Sequence, residues 1–159
     1  MALATFGAGC FWGVEYFFRQ VNGVISATSG YMGGDETLIR YEEVKSGTTG
    51  HAEVVQVEYD ESVVSYNDLL AVFWSNHNPT TLNQQGEDIG HQYRSVVFFH
   101  SEYQKELAQQ SKAELIECGK WGNRIVVTEI LVAQEFFAAE DFHQNYIEKN
   151  GLPSCHISF

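Results

Sequence analysis

The chain has 159 residues, 44% of them hydrophobic and 14% aromatic, with 21 acidic against 9 basic residues and a formal net charge of −12. That length and composition suit one globular domain with a full core and exclude disorder, while the acidity leaves no basic face to neutralise phosphates and so excludes nucleic acid as a partner. No apolar run approaches the ~20 residues of a membrane span, and the N-terminus lacks the basic and long apolar regions of a signal peptide, so no membrane association and a cytoplasmic setting are expected.

In chain order, Ala2 to Phe6 reads as a short buried strand. Val14, Phe17, Phe18 and Val21 then recur at i, i+3, i+4 and i+7, the apolar stripe of a helix. Between them stands Gly9-Cys10-Phe11-Trp12-Gly13. Cys10 therefore falls where a strand hands over to a helix N-terminus. The unpaired N–H groups and dipole there favour an anion, and a thiol so placed gains thiolate character. The glycines allow tight backbone and close approach of a second molecule. Phe11 and Trp12 read as exposed rings beside the thiol.

Val24 to Tyr31 reads as the next strand, and Gly33 opens a long irregular stretch to Gly50. His51 to Tyr59 follows as a strand with Glu53, Val55, Val57 and Tyr59 on one side. The side bearing those apolar residues should face the helices, which aims Glu53 into protein. A desolvated carboxyl holds its proton more tightly, as a proton donor must. A solvated carboxylate at the sheet rim is an equally good reading of the pattern alone.

Ser65 and Asp68 form a capping-box signature ahead of Tyr66, Leu69, Leu70 and Phe73. Asn78-Pro79 closes that helix, and a polar loop runs to about His91. Tyr93 to Phe99 reads as a central strand, apolar on both faces. A third helix starts at Ser101, capped by Gln104, and stops near Gly119. Ile125 to Val132 adds a strand, and a last helix runs from about Ala138 to Lys149. The expected fold class is α+β in two layers, a ferredoxin-like βαββαβ core with an additional strand and C-terminal helices. No repeat or linker interrupts it, so 1–159 is expected to be a single catalytic domain. Its tail, 151–159, carries Gly151, Pro153 and Cys155, and is expected to move.

The cysteines, Cys10, Cys118 and Cys155, are too few and too far apart for a disulfide framework or a zinc site, and the six histidines lack a metal-ligand spacing. Neither a metal nor a nucleotide cofactor is expected. The two long loops hold Tyr41, and then Asp88 and His91, with Tyr93 at the strand edge. A nucleophilic thiolate, an apolar wall, a neutral carboxyl and two phenols suit attack on an electrophile whose oxygen departs with a proton.

These residues resemble the A-type peptide methionine sulfoxide reductases. Gly9-Cys10-Phe11-Trp12-Gly13 is similar to the family signature, and Gly30-Tyr31-Met32-Gly33-Gly34 to its second motif, with Met32 where alanine is usual. Tyr41 to Val44, Ser46 to Val55, Asn78 to Thr81, Gly86 to Asp88, Gln92 to Ser95 and Glu140 to Tyr146 continue the match in order. The resemblance implies thiol-dependent reduction of the S-epimer of methionine sulfoxide, free or in proteins. It implies Cys10 as nucleophile, Glu53 as the acid at the sulfoxide oxygen, and Tyr41 and Tyr93 as assisting hydroxyls. Asp88 would stand near the substrate, and Phe11 and Trp12 would wall the methyl group. Attack would leave Cys10 as a sulfenic acid. Cys155 aligns with the C-terminal cysteine that many members use for recycling, with thioredoxin as the usual reductant. Cys118 matches no motif and reads as structural, though it is the other cysteine able to resolve the sulfenic acid.

Two other readings compete. A cysteine peroxidase would share the sulfenic intermediate but needs a cation beside its thiolate, and no Arg or Lys precedes Arg19. A ferredoxin-like module that binds a small molecule would leave Cys10 dispensable.

Overall fold

The computed structural model describes residues 1–151; Leu152–Phe159, and with them Cys155 and the expected mobility of the tail, lie outside the described residues. The fold is mixed α+β. A six-stranded, mostly antiparallel sheet has the order β7-β6-β1-β3-β2-β8. Its strands are β1 Ala2–Ala8, β2 Val24–Met32, β3 Ala52–Tyr59, β6 Ser95–Phe99, β7 Glu129–Val132 and β8 Phe137–Ala138. Only β6 and β7 run parallel. A separate hairpin pairs β4 Gln84–Gln85 with β5 Asp88–Ile89.

The sheet is covered unequally. Val55, Val57 and Tyr59 of β3 join Phe6 of β1 in the main core, under α1 (Phe11–Arg19) and α3 (Tyr66–Ser75). Phe6 is its hub, with ring centroids 4.9 Å from Phe18 of α1 and 5.2 Å from Phe73 of α3. Ala52 and Val54 point the other way, into a small second core with Met32, Val96 and Phe98. The period-two reading of β3 thus holds to its first residues, and Glu53 is only 1% exposed. Burial on both faces at this end is what takes Glu53 out of water.

Local chemistry fixes the helix starts. Ser65 Oγ accepts from the Asp68 N–H while the Asp68 carboxylate accepts from the Ser65 N–H, the reciprocal capping box read in the sequence. Such a cap typically contributes about 1 kcal/mol. Ser101 caps α4 (Glu102–Glu117) by accepting from the Gln104 N–H, but the Gln104 side chain accepts from the His100 N–H and donates to the Leu3 carbonyl, fastening α4 to β1.

Three expected elements are shorter than their sequence patterns. Tyr93 is outside the strand; it ends a 3-10 turn, His91–Tyr93, and β6 begins only at Ser95. The buried guanidinium of Arg94 holds that turn, donating to the His91 carbonyl and to Gly50 O across the site. Ile125 to Thr128 also fall outside the strand, Val127 N–H being spent on the Pro79 carbonyl, so β7 begins at Glu129. Finally, the continuous helix expected over 138–149 is absent. Ala138 belongs to β8, Asp141–His143 form a 3-10 turn, Asn145 is left-handed at φ 55°, and only α5, Tyr146–Lys149, is helical. The long loop after β2 contains one short helix, α2, Tyr41–Val44.

Candidate active site

Gly9, at φ 98°, turns the chain out of β1 in a conformation that an L side chain resists, and delivers Cys10 to the N-cap of α1. The thiol is half-buried and makes no side-chain cap. The first helical N–H, that of Phe11, is instead donated to Glu53 Oε1 at 3.2 Å. The strand carrying the carboxyl and the helix carrying the thiol meet at this contact, a buried carboxyl oxygen on a helix N-terminus.

Glu53 is placed by what precedes it. His51 is buried; its Nδ1 accepts the Gly34 N–H at 3.1 Å, so Nε2 holds the proton and donates to Asp35 O at 2.6 Å. A Cβ at Gly34 would collide with the backbone of Gly50 and His51, so only glycine permits the loop to lie on the start of β3. From that loop α2 presents Tyr41. Its hydroxyl is pushed up to about 12 by burial first, then by the charges of Glu53, Cys10, Glu42 and Asp88. Tyr93 is likewise pushed above the ordinary phenol range, by burial and then by Glu53, Tyr41, Asp88 and Cys10. Both phenols are therefore neutral donors at neutral pH. Two residues from different loops feel the same thiol and the same two carboxyls. The structure thus brings Cys10, Glu53, Tyr41, Tyr93 and Asp88 to one place. Asp88 reaches it from β5, in a hairpin whose Gly86 turns at φ 59°.

The aromatic pair divides. Phe11, expected to be exposed, is fully buried, its ring 5.6 Å from Tyr31 and 6.2 Å from Tyr41. Burial of the following helical residue follows from the helix turning inward at once after Cys10. Trp12 remains half-buried and stacks on Tyr146 with centroids 3.9 Å apart and planes within 10°. Its Nε1–H donates to His143 Nδ1 at 2.9 Å. The His143 proton therefore sits on Nε2.

His143, Tyr146, Glu140 and Tyr31 are site residues that the reading of individual positions missed. Glu140 accepts from the Tyr31 hydroxyl at 3.2 Å and from the Tyr41 N–H at 3.4 Å, joining β2 to α2. The available signal was the block Glu140 to Tyr146, whose polar and aromatic density is high for a surface helix.

His143 carries a pH dependence. Burial pulls its pKa down, against the opposite pull of Glu140 and Glu42, and burial likewise lowers those of His91 and His100. A histidine whose folded pKa lies below the unfolded value of about 6.5 contributes stability that is complete above that value and is lost as pH falls. Protonation would also put a hydrogen on Nδ1 and break the Trp12 contact. The urea midpoint is expected to fall between pH 7.5 and 5, and His143→Gln to remove part of that fall. An equal fall in the variant would show that His143 is not among the groups responsible.

A model of the family described as "Peptide methionine sulfoxide reductase" matches residues 2–159. The chain belongs to that family. It is 56% identical over 154 residues to "Peptide methionine sulfoxide reductase MsrA" of Methanothermobacter thermautotrophicus, covering 97% of this chain and 90% of the relative. Among solved structures, reduced Mxr1 from Saccharomyces cerevisiae matches with a TM-score of 0.90 and 36% identity over 96% of this chain and 87% of the yeast chain. Mxr1 in complex with Trx2 matches at 0.65, with 26% identity, over 99% and 88%. Within the reductase family the fold and the motif order of this chain are thus accounted for almost end to end. Among the described residues, no helix is long and apolar enough to cross a membrane, and no group of three or more His, Cys, Asp and Glu side chains is arranged to hold a metal ion.

Proposed function

We propose that this reductase reduces the S-epimer of methionine sulfoxide, free or in proteins, and that Cys10, Glu53, Tyr41 and Tyr93 carry the chemistry. The observation that carries the reading is the Phe11 N–H to Glu53 contact, which puts a buried carboxyl beside the thiol at a helix start. Cys10 as thiolate attacks the sulfoxide sulfur. Glu53 in its acid form, with the neutral Tyr41 and Tyr93 hydroxyls, delivers protons to the sulfoxide oxygen. Methionine leaves, and Cys10 is left as a sulfenic acid. Trp12 walls the methyl group, with the enclosed Phe11 ring as backing rather than contact surface, and Asp88 stands at the substrate edge. Cys155 then condenses with the sulfenic acid, releasing water and forming a disulfide that thioredoxin reduces, as the Mxr1–Trx2 complex suggests for the yeast relative. The whole of 1–159 acts as one catalytic domain in the cytoplasm. Its strand order β6-β1-β3-β2, antiparallel throughout, supports the ferredoxin-like reading of the core.

Single-turnover reduction of the separated epimers in a peptide, without external reductant, tests this reading. One equivalent of methionine from the S form alone is expected, with a Cys10–Cys155 disulfide by mass spectrometry. Product without that disulfide would move the resolving step to Cys118. No product from either epimer would overturn the reading in favour of a binding module.

A further inference from the structure

Glu15 is a carboxylate only 1% exposed, three residues along α1 from Trp12 and on the same face. Its Oε1 accepts the Ser29 hydroxyl of β2 at 2.7 Å. Its Oε2 accepts the backbone N–H of Asn145 at 2.6 Å and the Nε–H of Arg19 at 2.7 Å, and Arg19 donates onward to Ala27 O. A charge so buried is costly unless every lone pair is used, and a well-packed apolar residue would often serve stability as well. What Glu15 holds is specific: Asn145, the one left-handed non-glycine residue of the described C-terminal segment, with His143 two positions before it and Tyr146 one after. Of those two, His143 accepts the Trp12 indole N–H and Tyr146 stacks on its ring, with Tyr41 also stacked nearby. The neighbouring Gln144 side chain fastens the same segment to β2, accepting from the Ser29 N–H and donating to Ser29 O and Ala139 O.

We propose that Glu15 is a positioning residue for substrate binding: by gripping the Asn145 N–H it sets the His143–Tyr146 segment against Trp12, so that the wall of the methyl pocket stands before substrate arrives. The proposal rests on the reductase reading for its kinetic consequence only. Helix α1 engages the segment at Glu15 and, one turn earlier, at Trp12 with the Phe11 ring beside it. At Glu15 it holds the backbone; at Trp12 it receives the two side chains which that backbone presents. Without the first point, the backbone at Asn145 loses its hold on α1, and the His143 and Tyr146 rings lose their fixed setting against the indole. The thiol, one residue before the helix, stays fixed by β1 and Gly9.

Glu15→Leu keeps the size but offers no acceptor to the Asn145 N–H, to Arg19 or to the Ser29 hydroxyl, so the grip fails. Misplacing a binding wall without touching the reacting groups is expected to raise KM for a methionine S-sulfoxide peptide about 10-fold, with kcat within about 2-fold. Peptide-resolved alkylation of Cys10 by iodoacetamide, which does not use the wall, should proceed at the wild-type rate. Independently of activity, hydrogen exchange at the Trp12 indole N–H, assigned by its loss in Trp12→Phe, should quicken about 10-fold or more. Glu15→Asp keeps the charge but is one methylene too short to span Ser29 and Asn145. It should show the same pattern, and covers the case in which Glu15→Leu does not fold. Asn145→Gly retains the N–H and the left-handed backbone, and should behave as wild type.

Unchanged KM and unchanged indole exchange in both Glu15 variants would overturn the proposal. So would a slowing of Cys10 alkylation by the same factor as kcat/KM, which would mark general loosening, or damage in Asn145→Gly equal to that in Glu15→Leu. If the wild-type protein reduces neither epimer, the reductase reading fails, and the indole exchange alone decides whether the clamp exists.

Discussion

Cys10→Ser is expected to abolish reduction of methionine sulfoxide, by about 10⁴-fold or more, while the chain keeps its fold. Serine fits the site sterically and is a good N-cap, so helix α1 should start where it does now, with Phe11 N–H still donated to Glu53. What is lost is the sulfur that takes the oxidising equivalent. A serine oxygen has no counterpart of the sulfenic acid, so the reaction has no second half for the nearby carboxyl and phenols to assist. Circular dichroism and the thermal midpoint should match wild type, and no methionine should form in a single turnover. Methionine formed at the wild-type rate would remove Cys10 from the mechanism.

Glu53→Gln is expected to slow the first turnover by about 10²–10⁴-fold, the range for loss of a positioned acid. The amide oxygen can still accept the Phe11 N–H, so the strand–helix tie survives and the loss isolates proton delivery. A second readout follows from the charges. Glu53 is the largest charged contributor to the elevation of both Tyr41 and Tyr93, so the amide should let both phenols titrate lower, Tyr41 below its present value of about 12. Ultraviolet titration of the variant against wild type measures that directly. A normal single-turnover rate with the phenol shift present would leave Glu53 in the site but out of the chemistry.

Much of this was legible in the sequence where the cause is local. A glycine before Cys10 and an i, i+3, i+4 stripe after it are enough to put a thiol at a helix start. The capping box at Ser65 and the alternation of β3 are local in the same sense. The C-terminal segment misleads for an instructive reason. Ala139, His143 and Ile147 are the buried residues there, and they are spaced four apart as on a helix face. The spacing is real, but the chain reaches it through a strand, a 3-10 turn and a left-handed residue. Each of those is imposed by partners more than a hundred residues away: Ser29 on Gln144, Glu15 on Asn145 and Trp12 on His143. Periodicity reports which side chains are buried and is silent on backbone that is held from a distance. The same holds for Phe11, whose type suggested an exposed wall but whose neighbours, Tyr31, Tyr41 and His143, enclose it.

The distance along the chain between those partners also bears on how the molecule comes into being. The Trp12–His143 bond closes a separation of 131 residues, and Glu15 to Asn145 closes 130. Contacts of such high order form late, because the entropy of closing a long loop must be met before they return anything. During synthesis the N-terminal strands and α1 emerge first, with the thiol already at a helix end. The proposed pocket wall waits for residues 143–146. A polypeptide cut short before residue 143 would thus carry the sulfur without the His143 and Tyr146 contacts to Trp12, and any selectivity the proposed wall confers would be acquired only once that segment is in place.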